Sequence, residues 1–141
     1  MGGDMLEVTI TATRRPELLR QTLESFDKNL LCKIHKKRAI INVDPVGEDI
    51  DSRRVVDVCH EFFEEVIWNC PKQAHFPSAF TWVWESVTAD WVFNLEDDWE
   101  LLREVDIEIL VRLMVQNSSL AMLRLPQFHA CPTYMKTWNR F

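Results

Sequence analysis

Four times in succession, a short apolar run gives way to a break and then to apolar residues at helical spacing, and this alternation governs what the chain can fold into. Residues 6–13 (LEVTITAT) place Leu6, Val8, Ile10 and Ala12 on one side of an extended chain, and Pro16 follows where a first helical turn tolerates proline. Leu19, Leu23, Phe26 and Leu30 then recur on one face of a 3.6-residue period. Residues 39–44 (AIINVD) form a second run, broken by Pro45 and Gly47. Asp51-Ser52 supplies N-cap chemistry for a helix carrying Val55, Cys59 and Phe62, with Val56 and Phe63 as the alternative stripe.

Residues 65–69 (EVIWN) are the third run, ended by Cys70-Pro71, and Pro77 opens a segment with Phe80, Val83, Trp84 and Val87 on one helical face. Residues 91–95 (WVFNL) are the fourth, running into Glu96-Asp97-Asp98. Ile107, Leu110, Leu113 and Met114 form a last helical stripe, and residues 120–125 read as a fifth strand. The expected order is βαβαβαβαβ, with residues 127–141 an irregular aromatic tail. Strands that alternate with helices predict an α/β layered domain with a mainly parallel sheet, because parallel neighbours need crossover connections.

The chain's 141 residues are one ordinary domain's worth of material, so a single domain over 1–141 is expected. Sixteen Lys+Arg against twenty-two Asp+Glu leave a net charge of −6, which argues against a protein that coats nucleic acid or anionic membrane. Cys32, Cys59, Cys70 and Cys131 include no CxxC pair and read as free thiols of a reducing compartment. No apolar stretch approaches a membrane span and the first residues show no signal peptide, so a cytoplasmic location is expected. With Gly2, Gly3 and Gly47 as the only glycines, neither a GxGxxG loop nor a Walker P-loop can form. No GxSxG is present either, which leaves acyl transfer by a serine nucleophile without support.

In an open parallel sheet, ligands bind beyond the carboxyl ends of the strands. Those ends carry Thr11, Thr13, Arg14 and Arg15 on the first strand, Asp44 on the second, Asn69 on the third, and Glu96, Asp97 and Asp98 on the fourth. A nucleoside diphosphate with a divalent cation uses such a set. Arg14 or Arg15 and the first helix N-terminus suit phosphate, a carboxylate suits base or ribose, and the acidic triplet suits Mg²⁺ or Mn²⁺. If the chain stays extended, Glu96 and Asp98 share a face at a spacing of roughly 7 Å. The two arginines also oppose the dipole of the helix they precede, so their position calls for a compensating anion, for which phosphate is the favoured reading.

Other features read as structural. The histidines His35, His60, His75 and His129 fit no zinc spacing with Cys59 and Cys70. The run Lys33, Lys36, Lys37, Arg38 reads as a solvated turn. Trp68, Trp84 and Trp91 fall at positions expected to pack in the core, while Trp99 stands beside the acids.

Over about residues 8–126 the chain resembles the nucleotide-diphospho-sugar half of a GT-A type glycosyltransferase of the family 2 kind. Three segments carry the resemblance: VTITATRRPELLRQTLESF, NVDPVGEDIDS and AFTWVWESVTADWVFNLEDDWE. The last holds an acid-aromatic step, an apolar strand and a DxD-like motif in which Glu96 replaces the first Asp. The resemblance implies a GT-A-like, Rossmann-type layered domain with helices flanking the sheet. It implies a nucleoside-diphosphate sugar as donor, Mn²⁺ or Mg²⁺ as cofactor, and an acceptor hydroxyl on a glycan, lipid or protein. By it, Thr11, Thr13 and Arg15 line the nucleotide, Asp44 meets base or ribose, and Asp98 binds the metal with Glu96 and Asp97 assisting. Thr81 stands where the family often has Asn, and Pro45-Val46-Gly47 replaces an acidic-Gly-Ser turn. The family's acceptor half and catalytic base lie after the fifth strand, so no catalytic residue is assigned. The alternative is a sugar-nucleotide-binding or assembly module without turnover. A nucleotidyltransferase lacks support because no glycine-rich loop follows strand one.

Overall fold

The computed structural model describes residues 5–126. The chain divides into two compact units, Met1–Glu108 and Ile109–Phe141. In the first, β1 (Leu6–Arg14), α1 (Pro16–Asn29), β2 (Lys37–Gly47), α2 (Arg53–His60), β3 (Glu65–Asn69), α3 (Phe76–Glu85) and β4 (Trp91–Glu96) follow in turn. The strands form one all-parallel sheet in the order β3-β2-β1-β4. The chain steps outward from β1 through β2 to β3 and then returns to the far side of β1. Between β1 and β4 the winding therefore reverses, which is where an open α/β sheet leaves a crevice.

One face of the sheet is apolar. Leu6, Val8, Ile10 and Ala12 of β1, Ala39, Ile41 and Val43 of β2 and Leu95 of β4 join Leu19, Leu23 and Phe26 of α1 and Val55, Val56 and Cys59 of α2 in one core. Burying such a side chain contributes about 1.5–3 kcal/mol. A one-residue slip of β1 would move its whole apolar set to the opposite face, so the register is strongly fixed.

The opposite face packs α3 against β1 and β2. The residues buried there include Glu7, Thr9, Thr11 and Asn42 beside Ile40, Ala79 and Val83. Strand register sets Asn69, Asn42, Thr11 and Glu96 side by side in a single row across the four strands. Small Ala79 and Val83 let α3 lie close to this polar surface. The stripe expected through Phe80 and Trp84 is rotated outward, and Phe80 and Trp84 are exposed with their rings 5.9 Å apart. Val87 lies beyond the helix, which ends at Glu85. Trp91 packs against the core as expected, whereas Trp68 on edge strand β3 is exposed under the Arg53 guanidinium, 3.9 Å from its ring centroid.

Where β1 ends, its pairing with β2 becomes irregular, and Arg14 stands opposite Gly47. Gly47 has φ +114°, and a Cβ there would lie 2.8 Å from the Arg14 carbonyl oxygen. Only glycine satisfies both conditions. The basic run is absorbed by structure: Lys37 donates to the Leu31 carbonyl at 2.8 Å, and Arg38 pairs with Glu7 and Glu65.

A fourth helix, α4 (Ile107–Gln116), leads into the second unit. The strand expected over 120–125 is not formed. Leu120 N donates to the Asn117 carbonyl at 2.8 Å in a turn, and residues 121–126 join no ladder. An apolar run becomes a strand only where an edge offers it hydrogen bonds, a condition that hydrophobicity does not record. Among the described residues no helix is long and apolar enough to cross a membrane. Cys32, Cys59 and Cys70 are free, and burial pushes the Cys59 thiol far above its ordinary value. Cys131 and the irregular tail lie outside the described residues.

Candidate functional site

The carboxyl ends of β1 and β4 meet at the point where the winding reverses, so the residues that end these strands define the site. Thr13 and Arg15 come from the end of β1 and the start of α1, and Asp97 from the turn that follows β4. Asp97 is buried, with a relative exposure of 4 %. One carboxylate oxygen accepts from the Thr13 backbone N–H at 2.9 Å and from the Thr13 hydroxyl at 3.2 Å. The other accepts from Arg15 Nη2 at 2.8 Å. Arg15 Nε donates to the Thr13 hydroxyl oxygen at 2.8 Å, which closes a three-residue ring. The Asp97 backbone carbonyl accepts from the Thr22 hydroxyl at 2.7 Å, fastening the turn to α1.

The ring accounts for a cation at the N-terminus of α1. Arg15 occupies the N-cap position and makes no side-chain cap. Its charge opposes the helix dipole, and the Asp97 carboxylate supplies the compensating anion from within the chain. Arg14 is held separately, its Nε donating to the buried Ser52 hydroxyl at 3.0 Å. Ser52 therefore turns away from capping α2, while the Asp51 carboxylate accepts from the Arg53 N–H at 2.9 Å.

Glu96 and Asp98 stand differently. The extended chain ends at Glu96, and Asp97 and Asp98 lie in a turn, so the alternation expected to align Glu96 with Asp98 does not reach past β4. Glu96 neighbours Thr11 in register. Burial, and then the charges of Asp98 and Asp97, raise its pKa above the ordinary value. The Asp98 side chain is exposed, with one oxygen 3.9 Å from Arg15 Nη2. Trp99 is half-buried against the core.

Asp44 ends the regular part of β2 and is also buried. Its oxygens accept from Asn42 Nδ2 at 2.9 Å and from the His75 backbone N–H at 3.1 Å. Asn69 Nδ2 donates in turn to Asn42 Oδ1 at 2.7 Å. His75 caps α3, its Nδ1 accepting from the Ser78 N–H at 3.2 Å. Asp44 thus ties the end of β2 to the start of α3. Sequence reading missed Thr22, Asn42, His75 and Ser78. Asn42 was visible as a polar interruption of an apolar run, whereas a histidine cap has no strong sequence signal.

Among the described residues no group of three or more His, Cys, Asp or Glu side chains is placed to hold a metal ion. With Asp97 occupied by Thr13 and Arg15, the oxygen donors left at the edge are Asp98 and Glu96. Such a set does not fit an all-protein cage. A hard dication can bind through as few as one or two carboxylates only where waters and the phosphates of a substrate complete its shell.

No family model matches the sequence, and no curated protein matches it. Among solved structures, the chain is similar to the crystal structure of S. aureus TarS, a GT-A-like glycosyltransferase, with a TM-score of 0.62 at 10% sequence identity. The match covers 87% of this chain and 23% of TarS, so the chain spans about a quarter of that protein's length. The likeness is one of fold: a Rossmann-like, glycosyltransferase-like arrangement with a four-stranded all-parallel sheet flanked by helices.

Proposed function

We propose that this chain is the donor-binding domain of a glycosyltransferase, which binds a nucleoside-diphosphate sugar and passes the sugar to an acceptor hydroxyl on a glycan, lipid or protein. The observation that carries the reading is the meeting, at the winding reversal, of an arginine-flanked helix N-terminus with an acidic strand end. Arg15, with donors left beyond its bonds to Thr13 and Asp97, and the first N–H groups of α1 suit the diphosphate. Arg14 adds charge from its seat on Ser52. Thr11 and Thr13 line the same edge, and Asp44 borders the ground left for base or ribose.

A dication, Mg²⁺ or Mn²⁺, held by Asp98 with Glu96, would supply charge neutralisation to the departing nucleoside diphosphate. The chain's own part is to orient the diphosphate against Arg15 and the α1 N-terminus. Titration of the protein with UDP, GDP and their sugar conjugates, with Mn²⁺ and with EDTA, tests the reading. Metal-linked binding of one nucleotide that is lost in Asp98→Ala supports it. Binding unchanged in Asp98→Ala refutes the assignment of the cation to Asp98, and no binding of any of them refutes the reading.

A second reading is a sugar-nucleotide-binding or assembly module without turnover. The full engagement of Asp44 and Asp97 inside the fold supports it, because two candidate ligand contacts serve as struts. A donor-hydrolysis assay separates the two, since turnover excludes a passive module.

A further inference from the structure

We propose that Asp97 is a positioning residue for Arg15, and neither a metal ligand nor a donor contact. The acidic triplet is thereby divided into an inward carboxylate that sets an anion-binding arginine and an outward one left for a cation. The inference deepens the donor-binding reading and rests on it for the identity of the anion, a diphosphate.

Three observations lead there. Asp97 is buried, and its two oxygens accept from Thr13 and from Arg15, so the carboxylate is turned to its own chain. Arg15 is held through Nε and Nη2 while its side chain remains 39% exposed. A guanidinium has five N–H donors, and the hydrogen bonds to Thr13 and Asp97 engage two of them, leaving three for an outside partner. Asp98, the next residue, is exposed and 3.9 Å from the same guanidinium. A dication on Asp98 and a diphosphate on Arg15 would thus be neighbours across one gap, with Asp97 behind the arginine. An arginine fixed beforehand loses less freedom on binding than a free one, so its contact with phosphate is stronger.

The test measures two ligands separately: Mn²⁺ alone, and inorganic pyrophosphate in the presence of Mn²⁺. In Asp97→Asn the amide nitrogen must replace one acceptor oxygen, which breaks the hold on either Thr13 or Arg15. Asp97→Asn is expected to bind Mn²⁺ as the wild type does, and to bind Mn²⁺-pyrophosphate about tenfold more weakly, the scale of one charge-assisted hydrogen bond. Arg15→Lys is expected to weaken pyrophosphate similarly, and the double variant to be no weaker than either single one, because both changes remove one clamp. In the ligand-free protein, the Arg15 Nε–H proton is expected to exchange slowly with solvent and to lose that protection in Asp97→Asn.

Wild-type pyrophosphate affinity in Asp97→Asn overturns the proposal. So does a loss of Mn²⁺ affinity equal to that of Asp98→Ala, additivity in the double variant, or absence of pyrophosphate binding by the wild type. If nucleotide sugars fail to bind while Mn²⁺-pyrophosphate binds in an Asp97-dependent manner, the glycosyltransferase reading falls and the role of Asp97 stands.

Discussion

Glu7 offers a test of the architecture that leaves the site alone. It sits at the amino end of β1, fully buried, and its carboxylate gathers donors from two other parts of the chain. Arg38 of β2 donates through Nε at 2.8 Å and also through Nη2. From the α3–β4 connection, the backbone N–H groups of Thr88 and Ala89 donate at 2.8 Å and 3.0 Å, and the Thr88 hydroxyl donates at 3.0 Å. Glu7→Gln keeps the shape and replaces one acceptor oxygen with an NH₂ donor. In one orientation the new amide faces the two backbone N–H groups; in the other it faces Arg38 and the Thr88 hydroxyl. Either way at least two buried donors lose their acceptor, at about 1–3 kcal/mol each. The expected loss is about 3–5 kcal/mol, the scale of removing one partner from a buried ion pair and a large fraction of a typical domain's stability.

Urea denaturation of wild type and variant measures this loss, and pH provides a second check. Burial alone would raise the Glu7 pKa, but the backbone N–H groups of Ala89 and Thr88, then Arg38 and the Thr88 hydroxyl, hold it below its ordinary value of 4.5. A depressed carboxylate contributes stability above its unfolded pKa and loses it as pH falls through the folded one. The gap between wild type and Glu7→Gln should therefore hold steady from pH 7 to about 5 and narrow below about 4.5. Thr13 lies six residues along the strand, about 20 Å away, so pyrophosphate affinity should not change. A stability loss under 0.5 kcal/mol, a gap indifferent to pH down to about 3, or altered pyrophosphate binding would refute the reasoning.

Two further predictions concern backbone geometry around the site. Gly47→Ala should destabilise the chain by about 2 kcal/mol or more, because it combines an unfavourable φ of +114° with a Cβ 2.8 Å from the Arg14 carbonyl oxygen; an unchanged urea midpoint would show that the β2 end relaxes freely. His75→Asn should preserve stability and His75→Ala should lose about 1 kcal/mol, as expected for replacing or deleting an N-cap acceptor at Ser78; equal midpoints for the two variants would show that the ring nitrogen does not cap α3.

The apolar half of the fold was legible because it obeys periodicity. Leu6, Val8 and Ile10 at period two, and Leu19, Leu23 and Phe26 at helical spacing, all enter one core. Trp68 and Trp84 misled because aromatic character does not say which face a residue takes, and both are exposed. That the candidate residues lie along one edge was legible, since strand ends in a parallel sheet gather there. The internal wiring of the site was not. Nothing in the sequence says that Asp97, rather than Asp98, turns inward to Thr13 and Arg15, because that choice depends on β4 ending at Glu96 and on the path of the following turn. In the sequence the two arginines before α1 call for phosphate; the fold gives Arg15 a carboxylate of its own chain, Asp97, and seats Arg14 on the Ser52 hydroxyl, neither of which the sequence indicates.

The polar face beneath α3 gives the site a physical context. Parallel sheets are usually apolar on both faces, and buried polar groups carry a cost unless they are paired. Here the pairing changes along β1. At the amino end, Glu7 is closed by Arg38, Thr88 and Ala89. One step on, the Thr9 hydroxyl donates to Asn94 Oδ1 at 3.0 Å. In the next row Asn42 is closed by Asn69 and Asp44, yet the Thr11 and Glu96 side chains make no hydrogen bond to the described residues. That row marks the carboxyl edge between β1 and β4, where the winding reverses. Thr11 and Glu96 therefore leave unmet hydrogen-bonding capacity at the edge where a parallel sheet forms its crevice, beside the guanidinium that Asp97 holds.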